Sequence, residues 1–158
     1  MDIVDQDQLN RLIAEWYRLA IGKRVDSSDP FFRFVAVWVA FNALYSSRAD
    51  DEVGDWNQVR AYAGIPEVVD RHRTLLQENS EYGKAVSLLK ERGVYDIASR
   101  IHRRITHPRD LTRVASCLYQ VRCNLFHGGK APTDLRDQRL VEASYTIVAK
   151  LIETEIEA

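Results

Sequence analysis

The chain has 158 residues. This length suits a single domain, residues 1–158, that buries about two thirds of its unfolded surface. Its 22 Lys and Arg residues nearly balance 23 Asp and Glu residues, and the formal net charge is −1. This balance argues against a protein that coats nucleic acid non-specifically, which needs many surplus cations, but it allows a local basic groove.

The N-terminus is acidic and lacks a basic start followed by an apolar run. We therefore expect no signal peptide and a cytoplasmic location. The two cysteines, Cys117 and Cys123, fall on separate faces of one predicted helix and cannot easily bridge each other. Two reduced, mostly packed thiols are expected. The sequence carries no zinc-ligand spacing and no Gly-rich phosphate loop, so we predict no metal and no cofactor.

Apolar residues at helical spacing predict a first helix over residues 5–21. A second helix is predicted from residue 30 to about residue 45, because Asp29 can cap it and Pro30 fits its first position. It is apolar on nearly every side, which predicts a central place in a bundle. Because it is short and interrupted by Arg33 and Asn42, we predict no membrane span.

Asn42 needs hydrogen-bond partners if it is buried. Two interpretations remain open: its amide ties two helices together, or it supports a later helix from behind. Beyond it the sequence is polar and acidic, which predicts a loop over residues 46–55. Further helices are predicted over residues 56–63, 66–79, 80–92 and, from a weaker pattern, 94–106. No segment predicts a strand.

A run of cations precedes the next helix, with few acidic residues among them. A charge run is most often a solvated face of the protein. The alternative is a rim that binds phosphate and positions an RNA backbone without reading its sequence. The members of the run are Arg100, His102, Arg103, Arg104, His107, Arg109 and Arg113, and the predicted substrate contacts are Arg104, Arg109, Arg113 and the later Lys130.

The stretch around Arg122 contains the candidate catalytic residues of this sequence. Asp110 is a suitable N-cap for a helix that two glycines after His127 would end. One stripe of this helix is apolar, whereas Arg122, Asn124 and His127 crowd its last turn. They suit the binding of a phosphate, a hydroxyl and a proton respectively. The simpler alternative is that Arg122 and His127 only cap the C-terminal carbonyls of the helix. The apolar stripe consists of Leu111, Val114, Leu118, Val121 and Leu125.

A last amphipathic helix over residues 134–156 closes the predicted fold. We therefore predict an all-α bundle with a core of about four long helices and short extra helices.

The stretch from Arg122 to Lys130 resembles the signature of the HEPN domains, a superfamily of small all-helical proteins. Their motif is an Arg, four to six residues and then a His at the end of a late helix. The apolar segment around Asn42 is also similar to a helix near the start of many such domains. The residues that carry the resemblance are Arg122-Cys123-Asn124-Leu125-Phe126-His127-Gly128-Gly129-Lys130 and Trp38-Val39-Ala40-Phe41-Asn42-Ala43-Leu44-Tyr45.

The resemblance implies a metal-independent endoribonuclease, possessing a toxin or phage-defence role. His127 would move the proton of a ribose 2′-hydroxyl that attacks the neighbouring phosphodiester, and Arg122 would stabilise charge on the phosphorus oxygens. The products would be a 2′,3′-cyclic phosphate and a 5′-hydroxyl. Expected partners are single-stranded RNA, a second copy of the chain and a protein antitoxin or regulator. The alternative is a non-catalytic HEPN module that binds RNA, nucleotide or a protein.

Helix geometry adds a constraint on the site. Five residues at about 100° each leave Arg122 and His127 roughly 140° apart on an ideal helix. Either His127 lies beyond the last regular turn, or two motif helices meet in a homodimer, which we predict. A second match to the spacing, from Arg100 to His107, lacks a helix-ending glycine and is treated as a decoy. Cys123 departs from the Asn, Asp or His that often follows the Arg in catalytic members.

Overall fold

A computed structural model describes residues 6–22, 29–96, 98–126 and 135–157. Over these residues the chain forms seven helices and one two-stranded antiparallel sheet, so the predicted all-α fold class is confirmed. The elements are α1 (Gln6–Ile21), α2 (Pro30–Arg48), α3 (Asp55–Ala63), α4 (Pro66–Glu78), α5 (Ser80–Arg92), β1 (Val94–Asp96), β2 (Ile101–Arg103), α6 (Leu111–Phe126) and α7 (Leu135–Ile156).

Helix α2 is the central helix that its composition predicts. It packs against α1, α3 and α7, and nine of its side chains are buried. It begins as predicted, because the Asp29 carboxylate accepts a hydrogen bond from the Phe31 N–H at 3.0 Å and Pro30 needs no such partner. It continues to Arg48, about one turn further than predicted. Among the described helices none is long and apolar enough to cross a bilayer.

The predicted helix over residues 94–106 is wrong. Strands β1 and β2 form a hairpin there, in which Val94 pairs with Arg103 and Asp96 with Ile101. The turn is stabilised by Asp96, whose carboxylate accepts from the Ala98 and Ser99 N–H groups and from the Ser99 hydroxyl. Three-residue strands are too short to show an alternating pattern in the sequence. The hairpin is stabilised instead by its turn and by contacts of β1 with α6.

Helix α6 begins at the predicted position, directly after Asp110. Asp110 caps it, since its carboxylate accepts from the Arg113 N–H at 3.2 Å. Four of the five predicted apolar positions are buried and Leu125 packs at the edge of the core. The helix contacts α3 on one side, β1 on another, and α5 and α7. Its last turn therefore lies between α3 and the hairpin.

Candidate functional site

Arg122 lies in the last turn of α6 and points towards the start of α3. Its Nη2 is 3.5 Å from the Asp55 carboxylate, and its Nη1 is 4.0 Å from the Cys123 sulfur. It donates to no backbone carbonyl among the described residues. Its Nε is buried and has no hydrogen-bond partner in the described part of the chain. The side chain is 29% exposed, so part of it is accessible to solvent.

Two aromatic rings cover the guanidinium of Arg122. Its Cζ lies 5.6 Å from the ring centroid of Tyr119 and 5.0 Å from that of Phe126, both within cation–π range. Tyr119 in turn packs against Trp56 of α3 at 5.5 Å and Trp38 of α2 at 6.4 Å. The rings join the motif arginine to the core and leave it little freedom to move sideways.

Asp55 is itself held from behind by α2. The Tyr45 hydroxyl donates to one carboxylate oxygen at 2.5 Å, and the Asn42 amide donates to the same oxygen at 3.2 Å. Asn42 also donates to the Tyr45 hydroxyl at 2.6 Å. Burial and the bond to Asp55 raise the pKa of Tyr45, so its hydroxyl stays protonated and remains a donor. Asn42 therefore joins α2 to α3 and, through Asp55, supports Arg122.

The charge of Arg122 is secured by its surroundings. Burial lowers the pKa of Arg122, but the Cys123 sulfur and the Asp55 carboxylate more than compensate, and the net pKa lies above its ordinary value. A guanidinium that stays charged and presents a planar fork suits a phosphate oxygen. The geometry is therefore compatible with anion binding at the exposed part of the Arg122 side chain.

Asn124 lies on the other side of α6. Two residues at about 100° each place it roughly opposite Arg122. It is buried, its Nδ2 donates to the Tyr95 carbonyl at 2.8 Å, and its Oδ1 accepts from the Gln120 amide at 2.9 Å. Both ends of the amide are thus engaged between α6 and the hairpin, which favours a structural role over the predicted catalytic one.

Among the cations of the predicted phosphate-binding rim, Arg113 lies on a different face of α6 from Arg122. Arg104, Arg109 and Arg113 are exposed. Arg113 precedes Arg122 by nine residues, which on an ideal helix is about 13 Å along the axis and roughly 180° around it. Arg103, also in the run, is used internally, because it donates to Gln120 at 3.0 Å, to Ser116 at 3.3 Å and to Asp96 at 3.4 Å.

Arg109 lies instead on the border of a groove of about 670 Å³ between α4, α5 and the segment before α6. Lys84 adds a second cation and Glu91 an anion, while Leu76 and Leu88 contribute apolar surface. The described residues contain no group of three or more His, Cys, Asp or Glu side chains that could hold a metal ion.

The other predicted site residues, His127 and Lys130, lie outside the described residues, as do the glycines after His127. Neither Cys117 nor Cys123 is part of a disulfide among the described residues. Burial raises the pKa of Cys117 to about 11, which makes it an unreactive thiol at neutral pH. The only local sequence signal at Asp55 is its place at the first position of a short helix, which does not predict its contact with Arg122.

No protein-family model, curated protein or solved structure matches this chain.

Proposed function

We propose that the protein is a HEPN-type, metal-independent endoribonuclease with Arg122 and His127 as its catalytic pair. His127 takes the proton of the 2′-hydroxyl, whose oxygen attacks the adjacent phosphorus, and returns a proton to the 5′-oxygen as the bond between that oxygen and phosphorus breaks. Arg122 stabilises the charge that develops on the non-bridging oxygens. A positioned acid or base contributes about 10²–10⁴-fold in rate, and a charge stabiliser contributes on a similar scale of about 10²–10³-fold.

One observation supports this proposal above others. The two segments that carry the HEPN resemblance are far apart in the sequence and come together around Arg122. Trp38 contacts Tyr119 of the motif helix, and Asn42 and Tyr45 hold the carboxylate that pairs with Arg122. A helix cap would need no such contacts, because it is satisfied within its own helix.

The second candidate is a non-catalytic HEPN module that binds RNA, nucleotide or a protein in the same place. The observation that favours it is the ion pair itself, since Asp55 offsets part of the positive charge that a phosphate would meet. Partial neutralisation weakens attraction to an anion without preventing contact with the exposed part of Arg122.

The test is cleavage of a pool of single-stranded and structured RNAs in EDTA, with analysis of the 3′ ends. We expect wild type to produce 2′,3′-cyclic phosphate ends, and His127→Ala and Arg122→Ala to reduce the rate at least about 100-fold. His107→Ala is the matched control, because it removes the histidine of the decoy spacing and should cleave like wild type. Absence of cleavage by wild type at high protein concentration would favour the binding module.

A further inference from the structure

Arg122 is the centre of a small network of contacts, and the proposed reaction assigns no role to the residues that surround it. The rings of Tyr119 and Phe126 pack against the guanidinium, and Asp55 pairs with its Nη2. Since Tyr45 and Asn42 both donate to Asp55, the carboxylate cannot swing away without losing these bonds. The network thus restricts rotation of the guanidinium about its own bonds.

The ion pair between Arg122 and Asp55 contributes little to the free energy of folding, so stability is not its main effect. Arg122 and Asp55 are both about 30% exposed, and their closest N···O distance is 3.5 Å. Partly exposed pairs of this kind contribute only about 0–1 kcal/mol to folding, because water screens them. Orientation has a larger possible effect, since a misplacement of about 1 Å at a reacting group can lower a rate by about 100-fold.

Resting on the proposed ribonuclease function, we infer that Asp55 is the positioning residue of Arg122. It holds the guanidinium through Nη2, so that the exposed part of the Arg122 side chain faces the scissile phosphate of a single-stranded RNA. Asp55 does not touch the substrate. It is a poor candidate for the acid or base, because Tyr45, Asn42 and Arg122 already use its two oxygens as acceptors.

The kinetic test is Asp55→Asn, which keeps the side-chain volume and removes the charge. We expect kcat to fall about 10- to 100-fold, because the arginine loses its fixed orientation, while KM stays equal or decreases, because a negative charge near the phosphate has gone. Asp51→Asn is the matched control: its exposed carboxylate lies four residues earlier, and it should behave as wild type. An Asp55→Asn variant that cleaves as fast as wild type, or faster, overturns the inference.

A double variant tests whether Asp55 acts through Arg122. In an Arg122→Lys background there is no planar fork to orient, so Asp55→Asn should change kcat by less than about threefold, an effect of under about 0.7 kcal/mol. An unchanged 10- to 100-fold loss there would show that Asp55 acts by another route. Tyr45→Phe provides an independent variant should Asp55→Asn fold poorly, and it should lower kcat in the same direction.

An NMR measurement separates this inference from the ribonuclease proposal. In wild type and Asp51→Asn, rotation about the Arg122 Nε–Cζ bond should be slow enough to resolve its Nη groups, and Asp55→Asn should average them. Resolved Nη signals in a protein that cleaves no RNA would contradict the proposed function but not the orientation of Arg122 by Asp55. Averaged Arg122 signals in wild type would overturn the positioning role, whatever the cleavage assay gives.

Discussion

The tautomer and the charge of His72 are set by the groups that surround it in the fold. It is fully buried, with Nε2 2.7 Å from the Pro108 carbonyl and Nδ1 2.6 Å from the Tyr82 hydroxyl. A carbonyl only accepts, so Nε2 carries the proton and Nδ1 accepts from Tyr82. Burial lowers the pKa of His72, which keeps the ring neutral. Nothing local in the sequence marks this histidine, because its neighbours in α4 are mostly polar.

This burial predicts a dependence of stability on pH. The folded pKa of His72 lies below its unfolded value of about 6.5, so between the two the unfolded chain binds more protons. The stabilising contribution is full above about pH 6.5 and is lost as the pH falls towards the folded pKa, by at most about 1.4 kcal/mol per pH unit. The free energy of unfolding, measured by denaturant titration at each pH, should fall with a flatter slope from pH 7.5 to 5.0 in His72→Gln than in wild type.

The control for this titration is His107→Gln, whose ring is exposed. It should retain the slope of wild type. An equal slope in wild type and His72→Gln would contradict the assignment of the pH dependence to His72.

At the scale of single elements, the hairpin depends on how α5 ends. Gly93 follows α5 with φ +65° and ψ −177°, a backbone conformation that L-residues rarely adopt. A Cβ on this residue would lie 2.6 Å from the His102 ring and 2.8 Å from the Arg103 carbonyl. The close approach of the two chain segments lets β1 start at once and pair with β2.

We therefore expect Gly93→Ala to destabilise the protein by about 1–3 kcal/mol. The matched control is Gly83→Ala, the same change inside α5, where the nearest heavy atom to a new Cβ is the Leu76 carbonyl oxygen at 3.7 Å. It should stabilise by about 0.5–1 kcal/mol, because alanine loses less backbone entropy in a helix. Unfolding in urea measures both, and similar effects for the two variants would refute this account.

At the scale of the whole molecule, the last turn of α6 is where a second copy is predicted to meet the first. Phe126 is the final residue of α6 and is 55% exposed, which leaves an aromatic ring uncovered beside Arg122. In the predicted homodimer both motif helices contribute to one cleft, so this ring would lie at or near the contact. A pair of symmetric surfaces of this kind closes after two copies.

This arrangement predicts that Phe126→Glu shifts the protein from dimer to monomer, because the change removes the apolar ring that the contact would bury and puts a carboxylate there that must be desolvated. Ile101→Glu is the matched control, since Ile101 lies in the hairpin and is 56% exposed. Sedimentation equilibrium at several concentrations measures the effect. A wild-type protein that stays monomeric at all of them would count against the dimer.

Much of the fold follows from signals that are local in the sequence. Asp29 with Pro30, Asp110, and Gly93 mark where helices begin or end, because capping groups bind the backbone within three or four residues of themselves. The apolar character of α2 likewise predicts its central position, since burial follows from composition. The helix predictions before residue 94 and after residue 110 agree with the structure to within about one turn for this reason.

The sequence by itself determined that Arg122 stands near the end of a capped amphipathic helix and that most of the chain is helical. Only the tertiary structure decided what surrounds Arg122: Asp55 pairs with it, Asn42 and Tyr45 hold that carboxylate, and Asn124 turns to the hairpin instead. Such side-chain pairs join residues that are distant in the chain. Their partners follow from how helices pack, and no local pattern encodes them.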